Sequence, residues 1–246
     1  MNSNFISIGH RGTRILDENT IYAFTKALKY GAEYIEFDVR KTKDNQLIVI
    51  HDASLERTTL GSGLINNLTY NEISRYTTKT NSEKIPVFSE VLDTFKGKIK
   101  FMIELKAENI RNQILDIIND KELINYCIFS GRRLNDIVLI KKEYPETKTC
   151  YNITKGIGLS LSEFLTFENQ AIKNSNFDMV SLRSNLVNSK FIEICQKNKI
   201  LTLSWDFINY SNALEKIKEL IKNGIDGILF DNYKNIPLIK DWLLKI

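Results

Sequence analysis

Short runs rich in β-branched and aromatic residues alternate with stretches of helical periodicity from one end of the chain to the other. No other feature of the sequence limits its fold as much. Eight runs read as strands: 5–9, 34–39, 99–105, 126–130, 147–151, 179–182, 200–205 and 227–230. Between them, 20–30 places Ile21, Phe24, Ala27 and Leu28 on one helical face, and 214–221 repeats that spacing. The segment 236–244 has Pro237 in its first turn, where proline is tolerated. Strands that alternate with helices imply βαβ units and a parallel sheet. Eight such strands in 246 residues fit a closed TIM (β/α)₈ barrel better than an open, doubly wound sheet. One barrel domain over residues 1–246 is therefore expected.

One region breaks the alternation. A turn at 43–46 is followed by a short apolar run, 47–50, which reads as a hairpin on the barrel rim after the second strand. From 52 to 84 the chain is polar and turn-rich, with Gly61 and Gly63 and one short helix near 70–75. This insertion, about 43–85, follows a barrel strand, and such loops sit on the catalytic face.

The composition narrows the function classes. Hydrophobic residues make up 43% and charged residues 26%, as in an ordinary soluble globular protein. The net charge of +4 comes from lysines spread along the chain, without the basic stripe and interleaved aromatics of a nucleic-acid binder, so no nucleic-acid partner is expected. There is no apolar run of about 18 residues, and the opening MNSNFISIGHRG does not read as an export leader. No stable membrane anchor is expected. Cys127, Cys150 and Cys195 have neither zinc nor disulfide-framework spacing. They read as reduced, buried residues of a cytoplasmic protein.

In a TIM barrel the chemistry lies where strands end. The first strand runs into His10 and Arg11. The second contains Glu36 and Asp38, two apart and therefore on one face, while Ile35, Phe37 and Val39 take the other. The third ends with Glu104 and Lys106 on a shared face, and the run 47–50 ends in His51 and Asp52. Both histidines of the chain thus stand at strand ends. Three carboxylates suit a hard divalent cation such as Mg²⁺ or Ca²⁺. Two histidines suit a general acid and base near neutral pH. Arg11 and Lys106 suit an anionic group, most simply phosphate. Together these groups describe metal-assisted phosphoryl transfer.

The stretch HRGTRILDENTIYAFTKALKYGAEYIEFDVRKTKDNQLIVIHDASLERTT, with IPVFSEVL and FMIELK after it, resembles the glycerophosphodiester phosphodiesterases. The likeness is dense over the first 106 residues. It continues thinly through LSWDFIN and GIDGILFDN. It implies a TIM barrel and a phosphoric diester hydrolase that converts a small glycerophosphodiester to an alcohol and glycerol 3-phosphate. It also implies Glu36, Asp38 and Glu104 as ligands of one divalent cation, and His10 and His51 as the acid/base pair. Arg11 and Lys106 become phosphate contacts, and Trp205 a wall of the alcohol pocket. Three positions depart from the family pattern: Asp17 stands where proline is usual, Asp206 follows Trp205 where threonine is usual, and Phe230 precedes Asp231. The last two bear on the identity of the leaving alcohol.

Plainer readings stand beside these. Lys106 pairs structurally with Glu104, Arg57 pins the loop that carries it, and Trp205 belongs to the core as readily as to the pocket. Glu18 and Asn19 cap the helix near Thr20 and brace the site, and Asp231 caps the last helix. Two rival functions use the same fold. A lysophospholipase D- or sphingomyelinase D-like enzyme would need an apolar channel, for which Phe164, Leu165 and Phe167 are candidates unless they form a helix core stripe. A catalytically weak barrel would only bind a phosphorylated ligand.

Overall fold

The computed structural model describes residues 5–166, 172 and 175–245. Nine strands lie within them. They are β1 (Ile6–Gly9), β2 (Tyr34–Lys41), β3 (Leu47–Val49), β4 (Lys100–Leu105), β5 (Cys127–Gly131), β6 (Lys148–Asn152), β7 (Met179–Arg183), β8 (Leu201–Trp205) and β9 (Gly227–Phe230). Eight of them pair in parallel in the order β1-β9-β8-β7-β6-β5-β4-β2, and a β1–β2 pairing closes the ring. The barrel expected from the alternation is therefore present, with its eight strands within two residues of the expected bounds. The ninth strand, β3, lies outside it and pairs antiparallel with the end of β2, Val39 opposite Val49. The chain over 47–50 is thus the rim hairpin.

The helices follow the strands. They are α1 (Ile21–Lys29), α2 (Tyr70–Ile73), α3 (Phe88–Phe95), α4 (Arg111–Asp120), α5 (Leu134–Glu143), α6 (Leu161–Thr166), α7 (Ser189–Lys197), α8 (Ala213–Lys222) and α9 (Asn235–Leu243). Local chemistry explains their starts. Thr20 caps α1 by accepting from the Ala23 N–H, Asn188 does the same for α7, and Thr69 with Glu72 forms a capping box on α2. Glu18 and Asn19 do not cap α1. Thr20 fills that position, which frees both for the site.

Strand alternation separates two cores. Outward side chains such as Ile35, Phe37 and Val39 join helix residues such as Phe24 and Phe88 in one large buried cluster. Phe37 alone has ring contacts with Phe24, Phe88 and Phe101. Inside the barrel, a second cluster takes one residue from each of the eight strands: Ile8, Tyr34, Met102, Ile128, Cys150, Met179, Leu203 and Leu229. This apolar layer plugs the barrel and becomes the floor of whatever lies above it.

Candidate active site

Two residues along the chain from each member of the apolar floor stand His10, Glu36, Glu104, Ser130, Asn152, Ser181, Trp205 and Asp231. A step of two keeps the side chain on the same face, so the strands deliver a ring of seven polar residues and one tryptophan toward the C-terminal mouth. All but Asp231 line one cavity of about 430 Å³, which Arg11, His51 and Lys106 also line. A larger hollow of about 1040 Å³ opens at the opposite end of the barrel, among Tyr34, Lys100 and Leu201. Chemistry favours the smaller one, because the titratable ring converges there.

Glu36, Asp38 and Glu104 each place a carboxylate oxygen within 4.8 Å of the other two. Glu36 and Asp38 are almost fully buried. Arg11 and Lys106 reach into the group: Lys106 Nζ is 2.7 Å from Glu104 Oε1 and 3.2 Å from Asp38 Oδ1, and Arg11 Nε is 3.3 Å from Asp38 Oδ2. Three carboxylates against two cations leave one negative charge too many for a desolvated site. Burial, and then the Asp38 and Glu104 carboxylates, push the Glu36 carboxyl well above its ordinary value. Burial pushes Asp38 up as well, but Lys106 and Arg11 outweigh it and hold Asp38 far below the usual range. The excess negative charge therefore bears most heavily on Glu36.

These residues fit a divalent cation. All their donors are oxygen, which suits a hard ion, and such an ion would offset the excess negative charge. Asp38 Oδ1 is buried and accepts no aligned hydrogen bond, despite the nearby Lys106 Nζ. A bound cation would satisfy it.

Each histidine is held by a carboxylate. His10 Nδ1 lies 2.7 Å from Asp231 Oδ1, and His51 Nδ1 lies 2.7 Å from Asp52 Oδ1. Asp231 itself accepts from Arg14 Nη1 and the Phe207 N–H. Arg40 Nε donates to the His51 carbonyl at 2.8 Å and fixes its backbone. The Asp231 side chain therefore belongs to the site and does not cap α9. Burial, aided by Lys106 and Arg11 against the pull of Asp38, lowers the His51 pKa below its usual value.

The loop after β1 is shaped to serve this cluster. Arg11 and Asn19 have φ of 53° and 61°, and Gly12 has 74°. A Cβ on Gly12 would come within 2.6 Å of the Ala23 backbone, so only glycine lets this loop press against α1. The tight turn aims the Arg11 N–H at Glu36 Oε2, 2.8 Å away. Asn19 Nδ2 donates to Asp38 Oδ2 at 2.8 Å, and the Asp38 N–H donates back to Asn19 Oδ1. Glu18 is buried between Arg11 and Arg57, and Arg57 also grips Asp52. Arg57 thus pins its loop, in keeping with the plainer reading. Asp17 anchors the same loop by accepting from Thr78 Oγ1 and the Asn81 N–H.

The structure brings together all eight residues singled out in the sequence. Trp205 lines the cavity with its ring edge-on to His10, centroids 6.2 Å apart. Phe164 is fully buried in the outer core, and Leu165 packs against it, so neither forms a channel. Phe167 lies outside the described residues. Sequence reasoning missed Asp231 and Asp52 as histidine partners, and also the far wall of Ser130, Arg132, Lys155 and Arg183.

The carboxylate–histidine pairs set an acid limit on stability. Partial burial would raise Asp52, yet Arg57 and His51 outweigh it and hold its pKa at about 2. Burial also opposes His10 and Arg14 at Asp231, which still lies below its ordinary value. A depressed carboxylate stabilises the fold above its unfolded pKa of about 3.9 and ceases to do so as pH falls through the folded value. We expect the melting temperature to drop between pH ~4 and ~2, with a shallower drop in Asp231→Asn. Thermal melts in which the two proteins show the same slope would remove this role for Asp231.

A family model for the glycerophosphoryl diester phosphodiesterase family matches residues 9–235. A glycerophosphodiester phosphodiesterase of Caldanaerobacter subterraneus is 28% identical over 92% of this chain and 93% of its own length. Among solved structures, a glycerophosphodiester phosphodiesterase from Parabacteroides distasonis superposes with a TM-score of 0.81 at 21% identity, covering 99% of this chain and 100% of its own. A phosphodiesterase from Oleispira antarctica in complex with the product sn-glycerol-3-phosphate gives 0.80 at 21% identity, with 96% of each chain covered. These two likenesses speak for the fold.

Proposed function

The chain belongs to the glycerophosphoryl diester phosphodiesterase family, a family of phosphoric diester hydrolases, and from that premise we propose that it hydrolyses a small glycerophosphodiester to an alcohol and glycerol 3-phosphate. One observation carries this reading: two histidines, each held by an aspartate, line one cavity together with Glu36 and Glu104 of the carboxylate trio.

Glu36, Asp38 and Glu104 would hold one divalent cation, Mg²⁺ or Ca²⁺. When bound, it would neutralise charge on the non-bridging phosphate oxygens as the reaction proceeds. Arg11 and Lys106 turn part of their charge toward the same group. The carboxylate at each histidine's Nδ1 keeps the proton there and leaves Nε2 for substrate. One Nε2 takes the proton from the attacking hydroxyl as its oxygen forms a new P–O bond. The P–O bond to the leaving alcohol breaks, and the other imidazole protonates that alkoxide. The attacker is a water, or the neighbouring glycerol hydroxyl followed by water opening the cyclic phosphate; the latter has the proximity advantage. Trp205 walls the leaving-group side.

No helix among the described residues is long and apolar enough to cross a membrane. The free, buried cysteines support the cytoplasm as its place. A lysolipid substrate is the second reading. It is favoured by the exposed Ile15 and Ile208, which with Phe207 line a hollow beside Asp231.

The test is release of glycerol 3-phosphate by chelator-stripped protein. Turnover on soluble diesters should be negligible until Mg²⁺ or Ca²⁺ is added back. Cleavage of lysophosphatidylcholine in preference to every soluble diester would move the assignment to the second reading.

A further inference from the structure

The far wall of the cavity holds groups that the mechanism leaves unused. Among the cations lining it, Arg11, Arg14, Arg57, Lys106 and Arg183 each face a carboxylate. Arg132 and Lys155 line the same cavity and have no carboxylate or other acceptor among the described residues. Beside them, Ser130 Oγ is fully buried without a hydrogen-bond partner, and so is Thr154 Oγ1. Buried hydroxyls without partners are rare in folded proteins. Two of them beside the half-buried Arg132 and the exposed Lys155, which closes the mouth side, make an unfilled set of donors. Ser130 is in register with Glu104 on the adjacent strand, so this set lies one or two strand spacings, roughly 5–10 Å, from the carboxylate trio. That is the span of a short polyol between two phosphate groups.

The aromatic side of the pocket is taken. The Arg183 guanidinium carbon lies 4.9 Å from the Trp205 ring centroid, and Arg183 Nε lies 3.2 Å from Asp206 Oδ2. A quaternary ammonium would compete with that guanidinium for the ring face. Asp206 has φ of 70°, and its carboxylate also pairs with Arg14, so the arrangement is braced from two directions.

We infer that the leaving alcohol carries a second oxyanion, a phosphate ester, seated by Arg132, Lys155, Ser130 and Thr154, and that choline-type leaving groups are disfavoured. This rests on the phosphodiesterase reading above. It names the substrate class of that site as a bis-anionic glycerophosphodiester.

The test compares kcat/KM for three soluble substrates with cation present: glycerophosphocholine, glycerophosphoglycerol, and glycerophosphoglycerol bearing a terminal phosphate. Wild type should prefer the phosphate-bearing diester over glycerophosphoglycerol by about tenfold or more, as charge-assisted hydrogen bonds allow. Glycerophosphocholine should be the poorest substrate. The preference should shrink with added salt, and in Arg132→Ala and Lys155→Ala the ratio should fall toward one, mainly through KM. The salt series on wild type stands even if a variant folds poorly. Turnover of all three diesters at similar efficiency, or a preference that survives both substitutions, overturns this inference and leaves the phosphodiesterase reading intact. Turnover of none of them overturns both.

Discussion

Glu36→Gln removes turnover and stabilises the metal-free protein. We expect kcat/KM to fall by at least ~10³, because a cation contributes several kcal/mol of transition-state stabilisation and each 1.4 kcal/mol is tenfold. Stability should move the other way. Glu36 is buried against two like charges with only Arg11 and Lys106 to compensate, and its carboxyl is driven well above its ordinary value by burial and those neighbours. A neutral amide of the same shape keeps an oxygen for the Arg11 N–H and loses the repulsion. Relief of about 1 kcal/mol raises the melting temperature of a chain this size by roughly 2–4 °C. Added Mg²⁺ or Ca²⁺ should then stabilise wild type and leave Glu36→Gln unmoved. A variant that melts lower than metal-free wild type, or that still gains stability from the cation, would show that Glu36 is a structural carboxylate.

His10→Ala and His51→Ala should each lower kcat by about 10²–10⁴, the range for a positioned acid or base. The double variant should lose little beyond the worse single one, because an acid and a base that act in one step are not additive. Asp231→Asn should lower kcat with KM nearly unchanged. It leaves His10 in place but no longer holds its proton on Nδ1. Steady-state kinetics on one diester separate these cases. Losses that multiply across the double variant would mean the two imidazoles serve independent steps.

Much of this architecture was legible in the sequence, for a physical reason. Parallel strands buried on both faces are written as apolar runs, and their eightfold recurrence leaves few alternatives to closure. The near half of the site was legible too, because Glu36, Asp38, Glu104, His10 and His51 interrupt or end those runs. What was missed depends on contacts between distant parts of the chain. Asp231 precedes a helix and looks like a cap, but its partner His10 lies 221 residues away. Glu18 sits beside a helix start, while Arg57, 39 residues on, claims it. The far wall left a weaker trace. Ser130, Asn152 and Ser181 are polar residues at strand ends, so the rule that found Glu104 points to them as well. Serine and asparagine simply stand out less than a pair of carboxylates.

The most direct test follows the phosphorus itself. Glycerophosphoethanolamine is incubated with metal-restored protein, and the products are read by phosphorus NMR. The diester signal should be replaced by glycerol 3-phosphate, with any cyclic glycerol phosphate passing through transiently, and should not change in the presence of chelator. Accumulation of phosphoethanolamine, or an unchanged diester with cation bound and the protein folded, would contradict the proposed hydrolysis to glycerol 3-phosphate.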